Sequence, residues 1–230
     1  MYFRHLLVSI IVLLMIQLGY SQPKTLSLKK GQALDLLLLT TNPDAKEKRN
    51  EYFAAAVSVA QQYGYTPQYS SGIKEPPTQG NYWPEVLILA TWKVHEDRVK
   101  FVKDIEAKYP PFHEMRREIW PTFHLTYWNV EQDQEVTFDP EKFYVATAHW
   151  EKESKPFKFF AQAWAKEVSN HQGAVVLEMK SGISPFGYHY NPDLFTITEW
   201  ESREAFEQFH AKNVAMDHKG VLHVNQFVLQ

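Results

Sequence analysis

The sequence predicts an α+β protein built from two tandem ferredoxin-like β-α-β-β-α-β repeats, packed sheet to sheet. Three observations carry this expectation. Apolar strands and amphipathic helices follow one another in the same order twice. Landmarks recur at a nearly constant offset: Gly64 and Gly173 lie 109 residues apart, Ser71-Gly72-Ile73 and Ser181-Gly182-Ile183 lie 110 apart, and Trp92 and Trp200 lie 108 apart. Such constancy marks an internal duplication. Finally, the strands show no plainly solvent-like face, so the sheet surface that the helices leave bare needs a cover.

The first repeat spans 34–130. Its opening strand is LDLLLLT (34–40), followed by Asn42, Pro43 and Asp44, residues suited to a helix start. The helix runs to about Tyr63 with Phe53, Ala56, Val57 and Ala60 as its apolar stripe, and Gly64 stops it. A strand near 65–73 and a loop rich in Pro, Gly and Thr lead to EVLILATW (85–92). A second helix over 95–108 ends before Pro110 and Pro111, and a short helical piece precedes the strand TFHLTYWNV (122–130).

A polar linker, 131–141, separates the repeats. The second repeat, 142–230, opens with the strand KFYVATAHW (142–150). Ser154 and Pro156 start a helix whose stripe is Phe157, Phe160, Ala161, Trp164 and Val168, ended by Gly173. Then follow AVVLEMK, the loop SGISPFGYHYNP, the strand DLFTITEW, a helix capped by Ser202, and the closing strand VLHVNQFVLQ.

Residues 1–21 read as a signal peptide: a short basic start, the apolar stretch 6–18, and small residues Gly19 and Ser21 before the cleavage point. The mature chain would begin with an arm, 22–33, and sit in the periplasm or outside a bacterial cell, free of the membrane after cleavage. An uncleaved N-terminal anchor is the alternative. A net charge of −3 offers no basic field for nucleic acid. The absence of cysteine removes disulfides, thiolate nucleophiles and cysteine metal sites together.

FTITEWESREAFEQFH, a strand ending in Glu-Trp and running into a Ser-capped helix with Glu-Ala-Phe, resembles the antibiotic biosynthesis monooxygenase family of the dimeric α/β-barrel superfamily. The resemblance covers 142–230 and, more faintly, 34–130. It implies two sheets closing a barrel within one chain. It also implies a pocket for a small aromatic or polycyclic compound, oxidised by O₂ without a bound cofactor. A non-catalytic protein that binds a small molecule or haem, and an assembly module without a pocket, are the alternatives. Either a monomer or a homodimer fits.

The expected pocket lies in the second repeat. His149, assigned to the strand face turned away from the helices with Thr147, is the candidate base or orienting group. Trp200 is a candidate wall for a planar ligand, against its reading as a core anchor shared with Trp92. Tyr188, His189 and Tyr190 form a candidate pocket mouth, against an aromatic loop lying down on the sheet. His218 is the candidate axial ligand in the haem alternative. No metal site is expected, since the spacing of His124, His149 and His223 does not argue for one.

Overall fold

The computed structural model of the chain describes residues 22–230; the expected leader, 1–21, lies outside the described residues. The first repeat runs β2 (Ala33–Thr40), α1 (46–62), β3 (Thr66–Gly72), β4 (Val86–Trp92), α2 (His95–Lys108), α3 (Phe112–Ile119) and β5 (Thr122–Asn129). The second runs β7 (Phe143–Glu151), α4 (Ser154–Asn170), β8 (Ala174–Lys180), β9 (Leu194–Trp200), α5 (Arg203–Val214) and β10 (Val221–Leu229). The arm and the linker, read from sequence without structure, pair with each other as β1 (Lys24–Leu28) and β6 (Gln134–Phe138).

The two four-stranded sheets have the same order, β3-β4-β2-β5 and β8-β9-β7-β10, with every pairing antiparallel. Even their irregularities repeat. The edge strands bulge between Pro67 and Tyr69 and between Val175 and Leu177, each pair 108 residues from its counterpart.

The duplicated Ser-Gly-Ile segments are the seams of a barrel. Gly72 exchanges backbone hydrogen bonds of 3.2 and 3.0 Å with Gln230 of the second repeat, and Ser71 Oγ donates to the Gln230 carbonyl at 2.8 Å. Reciprocally, Ile183 exchanges bonds of 2.9 and 3.0 Å with Tyr127 of the first repeat. Each repeat thus ties the end of its own edge to the last strand of the other.

Between the sheets lies a filled core, not a hollow. Leu34, Leu36, Leu38, Leu87, Leu89 and Trp128 from one sheet meet Tyr144, Ala146, Ala148, Phe195, Ile197 and Phe227 from the other, all buried. The expected sheet-to-sheet packing is present; the ligand space expected inside it is taken up by side chains. Each fully buried Leu or Phe contributes about 1.5–3 kcal/mol, so the closed interior is itself a main source of stability.

The helix layers differ. In the second repeat the buried face of α4 carries Phe157, Phe160, Trp164 and Val168, packed with Trp200, Phe206 and Phe209. In the first, α1 buries Tyr52, Ala56 and Ala60 and takes a π-turn at Phe53–Val57. Its start also differs from expectation. The Asn42 side chain accepts from the Asp44 amide in a turn, and the helix itself begins at Lys46.

Candidate functional site

Small residues on α1 leave space beneath it. A cavity of about 370 Å³ lies between α1, α2 and α3 and the helix-facing side of β2, β4 and β5. Its walls are largely apolar: Leu37, Leu39, Ile88, Trp92, Phe123 and Leu125 from the sheet, Phe101 from α2, and Phe53, Ala56, Val57 and Ala60 from α1. The volume is at the low end of small-molecule pockets, about 300–1,000 Å³.

Into this apolar space project charges. Asp35, on β2, is buried, and its Oδ1 accepts from Arg98 Nε of α2 at 2.8 Å. Burial pushes the Asp35 carboxyl above its ordinary range, and the Arg98 guanidinium opposes the shift. Arg98 lies 4.9 Å over the Trp92 ring and 4.8 Å over Tyr127, and its Nη1 has no hydrogen-bond partner among the described residues. Arg116, on α3, donates from Nε to Tyr52 Oη at 2.6 Å and from Nη1 to Tyr188 Oη at 3.0 Å, and its guanidinium stacks 3.8 Å over Phe112. Burial works against the Arg116 cation, but the phenolic oxygens of Tyr52 and Tyr188 outweigh it and raise its pKa. Arg49, half-buried on α1, completes the lining cations.

The sequence-predicted site residues fall elsewhere, and one was assigned to the wrong face. Val145, Thr147 and His149 look toward the helices, while Tyr144, Ala146 and Ala148 look toward the other sheet. His149 is buried against Phe160 and Trp164, with ring centroids 5.4 and 5.3 Å away. Burial, with His218 nearby, lowers its pKa to about 3, and its Nδ1 has no partner among the described residues. It lines neither the first-repeat cavity nor the groove between α4 and β8. Alternation could not settle this parity, because both faces of β7 are covered.

Thr147 is fully buried and its Oγ1 accepts from Gln226 Nε2 at 2.9 Å. Trp200 is buried in the helix-sheet core, donating from Nε1 to Thr198 Oγ1 at 2.9 Å, so it is the anchor rather than a ligand wall. Tyr190 sits in the inter-sheet core with its hydroxyl on Asn225 Oδ1 at 3.1 Å. His189 is exposed in a left-handed backbone conformation, φ 57°. Of the expected mouth, Tyr188 alone reaches the charged cavity, through Arg116, and it does so in the repeat opposite to its own.

His124, His149 and His223 do not converge: His124 packs between Tyr82 and Tyr190, and His223 against Trp150. Among the described residues no three His, Cys, Asp or Glu side chains are grouped to hold a metal ion. No described helix is long and apolar enough to cross a membrane.

Comparison with solved structures names the architecture. The chain superposes on an anthrone oxidase-like protein with a TM-score of 0.51 and 14% identity, over 90% of this chain and 94% of that one. The chain has the dimeric α/β-barrel fold. Here both halves of the barrel come from one polypeptide. A monooxygenase candidate from Fusobacterium nucleatum subsp. nucleatum matches at TM-score 0.46 and 11% identity, covering 88% and 93% of the two chains. A mutant chlorite dismutase from Candidatus Nitrospira defluvii matches at 0.49 and 8%, covering 88% and 92%. No protein-family model and no curated protein matches the sequence. At these identities the likeness concerns the barrel fold alone.

Haem does not fit the place the sequence reserved for it. The His218 ring is half-buried, its Nδ1 is 2.9 Å from the Met216 carbonyl, and it packs 5.1 Å from Phe160. The layer behind it is taken up by Phe157, Phe160, Trp164 and Phe209.

The cavity residues that sequence reading missed had a faint signal. Asp35 is the one charged residue in LDLLLLT, and Arg98 stands six residues after Trp92, where the second repeat has Phe206 six residues after Trp200. A charge at a duplicated core position is the trace that marks them.

Proposed function

We propose that the barrel binds a small aromatic or polycyclic compound in the first-repeat cavity and oxidises it with O₂ without a bound cofactor. The observation that carries this reading is the buried Asp35–Arg98 pair in a pocket whose walls are largely apolar. A carboxyl raised by burial is a better base near neutral pH than an ordinary one. Asp35 would take a proton from an activated methylene or hydroxyl of the substrate. The electron pair left behind would spread onto a substrate oxygen facing the guanidiniums, which hold that developing charge in a dry site. Dioxygen accepts four electrons in all: the carbon adds to one oxygen atom, the O–O bond breaks, the methylene becomes a carbonyl, and the second oxygen atom leaves as water with the two protons the methylene lost.

Binding without turnover is the second reading. Asp35 Oδ1 is already engaged by Arg98 Nε, which favours a carboxylate held in place over one free to exchange protons. Oxygen uptake separates the two. With a panel of cyclic aryl ketones and polyphenols, the wild type is expected to consume O₂, and Asp35→Asn to lose at least about 100-fold of that rate. No uptake above the uncatalysed rate across the panel would remove the oxygenase reading.

A further inference from the structure

The cavity's charges do not cancel. Three guanidiniums line it, those of Arg49, Arg98 and Arg116, against the single carboxylate of Asp35. The two buried cations are incompletely answered. Arg98 spends one nitrogen on Asp35 and leaves Nη1 without a partner, and Arg116 is held by two phenols and no carboxylate. A buried charged donor without an acceptor is costly, so such groups are ordinarily paired.

The molecule contains its own control for whether the fold needs these ions. In β2, Ala33 pairs with Trp92 and Asp35 with Ala90; in β7, Phe143 pairs with Trp200 and Val145 with Thr198. Val145 therefore stands where Asp35 stands, and Phe206 where Arg98 stands. Both are buried in the apolar helix-sheet core of the second repeat. The same architecture closes without an ion pair, so packing alone does not account for the one in the first repeat.

We infer that the cavity selects anions: its ligand is a small aromatic molecule bearing an ionised oxygen, a carboxylate or phenolate, that seats on the unpartnered Arg98 Nη1. Arg116 adds to the positive field and Arg49 draws the anion to the mouth. The apolar walls, Leu37, Ile88 and Phe123 among them, take the ring. A cation of the same shape is rejected by the same field. The inference rests on the cavity proposed above as the ligand site, but not on turnover.

The test uses three probes of one shape, 2-naphthoate, 2-naphthamide and 2-naphthylmethylammonium, titrated calorimetrically into the anaerobic protein. Naphthoate is expected to bind at least about tenfold more tightly than the amide, and the ammonium to bind least. Asp35→Val/Arg98→Phe, which copies the second repeat, is expected to keep the wild-type circular dichroism and to lose the anion preference. Arg116→Gln, read separately, is expected to weaken naphthoate more than the amide. Equal binding of acid and amide, a preference for the ammonium, no binding of any probe, or a double variant that folds and keeps the preference would overturn the inference. If the ranking holds while O₂ uptake is absent, oxidation fails and the anion site stands.

Discussion

The two repeats of this barrel share strand order, bulge position, glycines and tryptophans, yet their helix layers solve different problems. The second is an aromatic core: Phe157, Phe160, Trp164, Trp200, Phe206 and Phe209 fill it. The first puts Ala56 and Ala60 on the buried face of its first helix and Asp35 and Arg98 at core positions, and a cavity results. One copy of the duplicated unit thus keeps packing, and the other gives up packing for a lined space. The lesson is that the shared inter-sheet core, together with the seams at Gly72–Gln230 and Tyr127–Ile183, supports the second half's neighbour well enough for that exchange.

The sharpest way to break the comparison is to swap volumes. Trp164→Ala is expected to cost about 3–5 kcal/mol in denaturant unfolding, because it opens a void in a filled layer. Ala56→Leu, pointing into existing space, is expected to change stability by less than about 1.5 kcal/mol and to abolish ligand binding. Comparable losses for both would mean that the first layer is as tightly packed as the second.

The halves also answer pH in opposite senses. His149, held neutral by burial with a pKa of about 3 against an ordinary 6.5, stabilises the fold fully above about pH 6.5 and progressively less as pH falls toward 3. The expected slope is about 1.4 kcal/mol per pH unit in that window. Asp35, with its carboxyl raised by burial, acts the other way, and its contribution is lost as pH rises through its folded-state pKa. Leu39 occupies the first-repeat position of His149, since Leu39 pairs with Val86 as His149 pairs with Leu194. His149→Leu is therefore expected to flatten the acid limb of urea midpoints measured from pH 7 to 5. An unchanged slope in that variant would assign the acid sensitivity to other groups.

The seams offer the finest distinction. A β-carbon at Gly182 would meet Thr126 Cγ2 at 2.5 Å, whereas one at Gly72 meets nothing closer than 3.9 Å. Gly182→Ala is expected to cost about 1–3 kcal/mol by overpacking. Gly72→Ala should stay within about 0.5 kcal/mol. Equal melting temperatures for the two variants would show that the seams are equivalent after all.

Much of this architecture was readable in one dimension. Period-two strands, the stripe Phe157, Phe160, Trp164 and Val168, the Ser202 cap, whose Oγ accepts from the Ala205 amide, and the repeated landmarks are local features, and local features survive in a string of letters. The β1–β6 ribbon was not readable, because its partners lie more than a hundred residues apart and only Leu26 and Leu28 on one strand, Val136 and Phe138 on the other, carry the alternation. The candidate site was missed for a related reason. His149 and the YHY loop are residue types that commonly do chemistry, whereas Asp35 is one letter in an apolar strand and Arg98 one charge among many on α2.

By itself the sequence determined the order of the elements, their duplication and the need of two bare sheet faces for each other, since those follow from side-chain periodicity and the cost of wet apolar surface. Only the tertiary structure decided which strand face met the helices, that the space between the sheets closed while the space beneath α1 stayed open, and that Tyr188 of one repeat would reach Arg116 of the other. Those outcomes depend on parity, volume and long-range pairing summed over both repeats, and no single segment carries them.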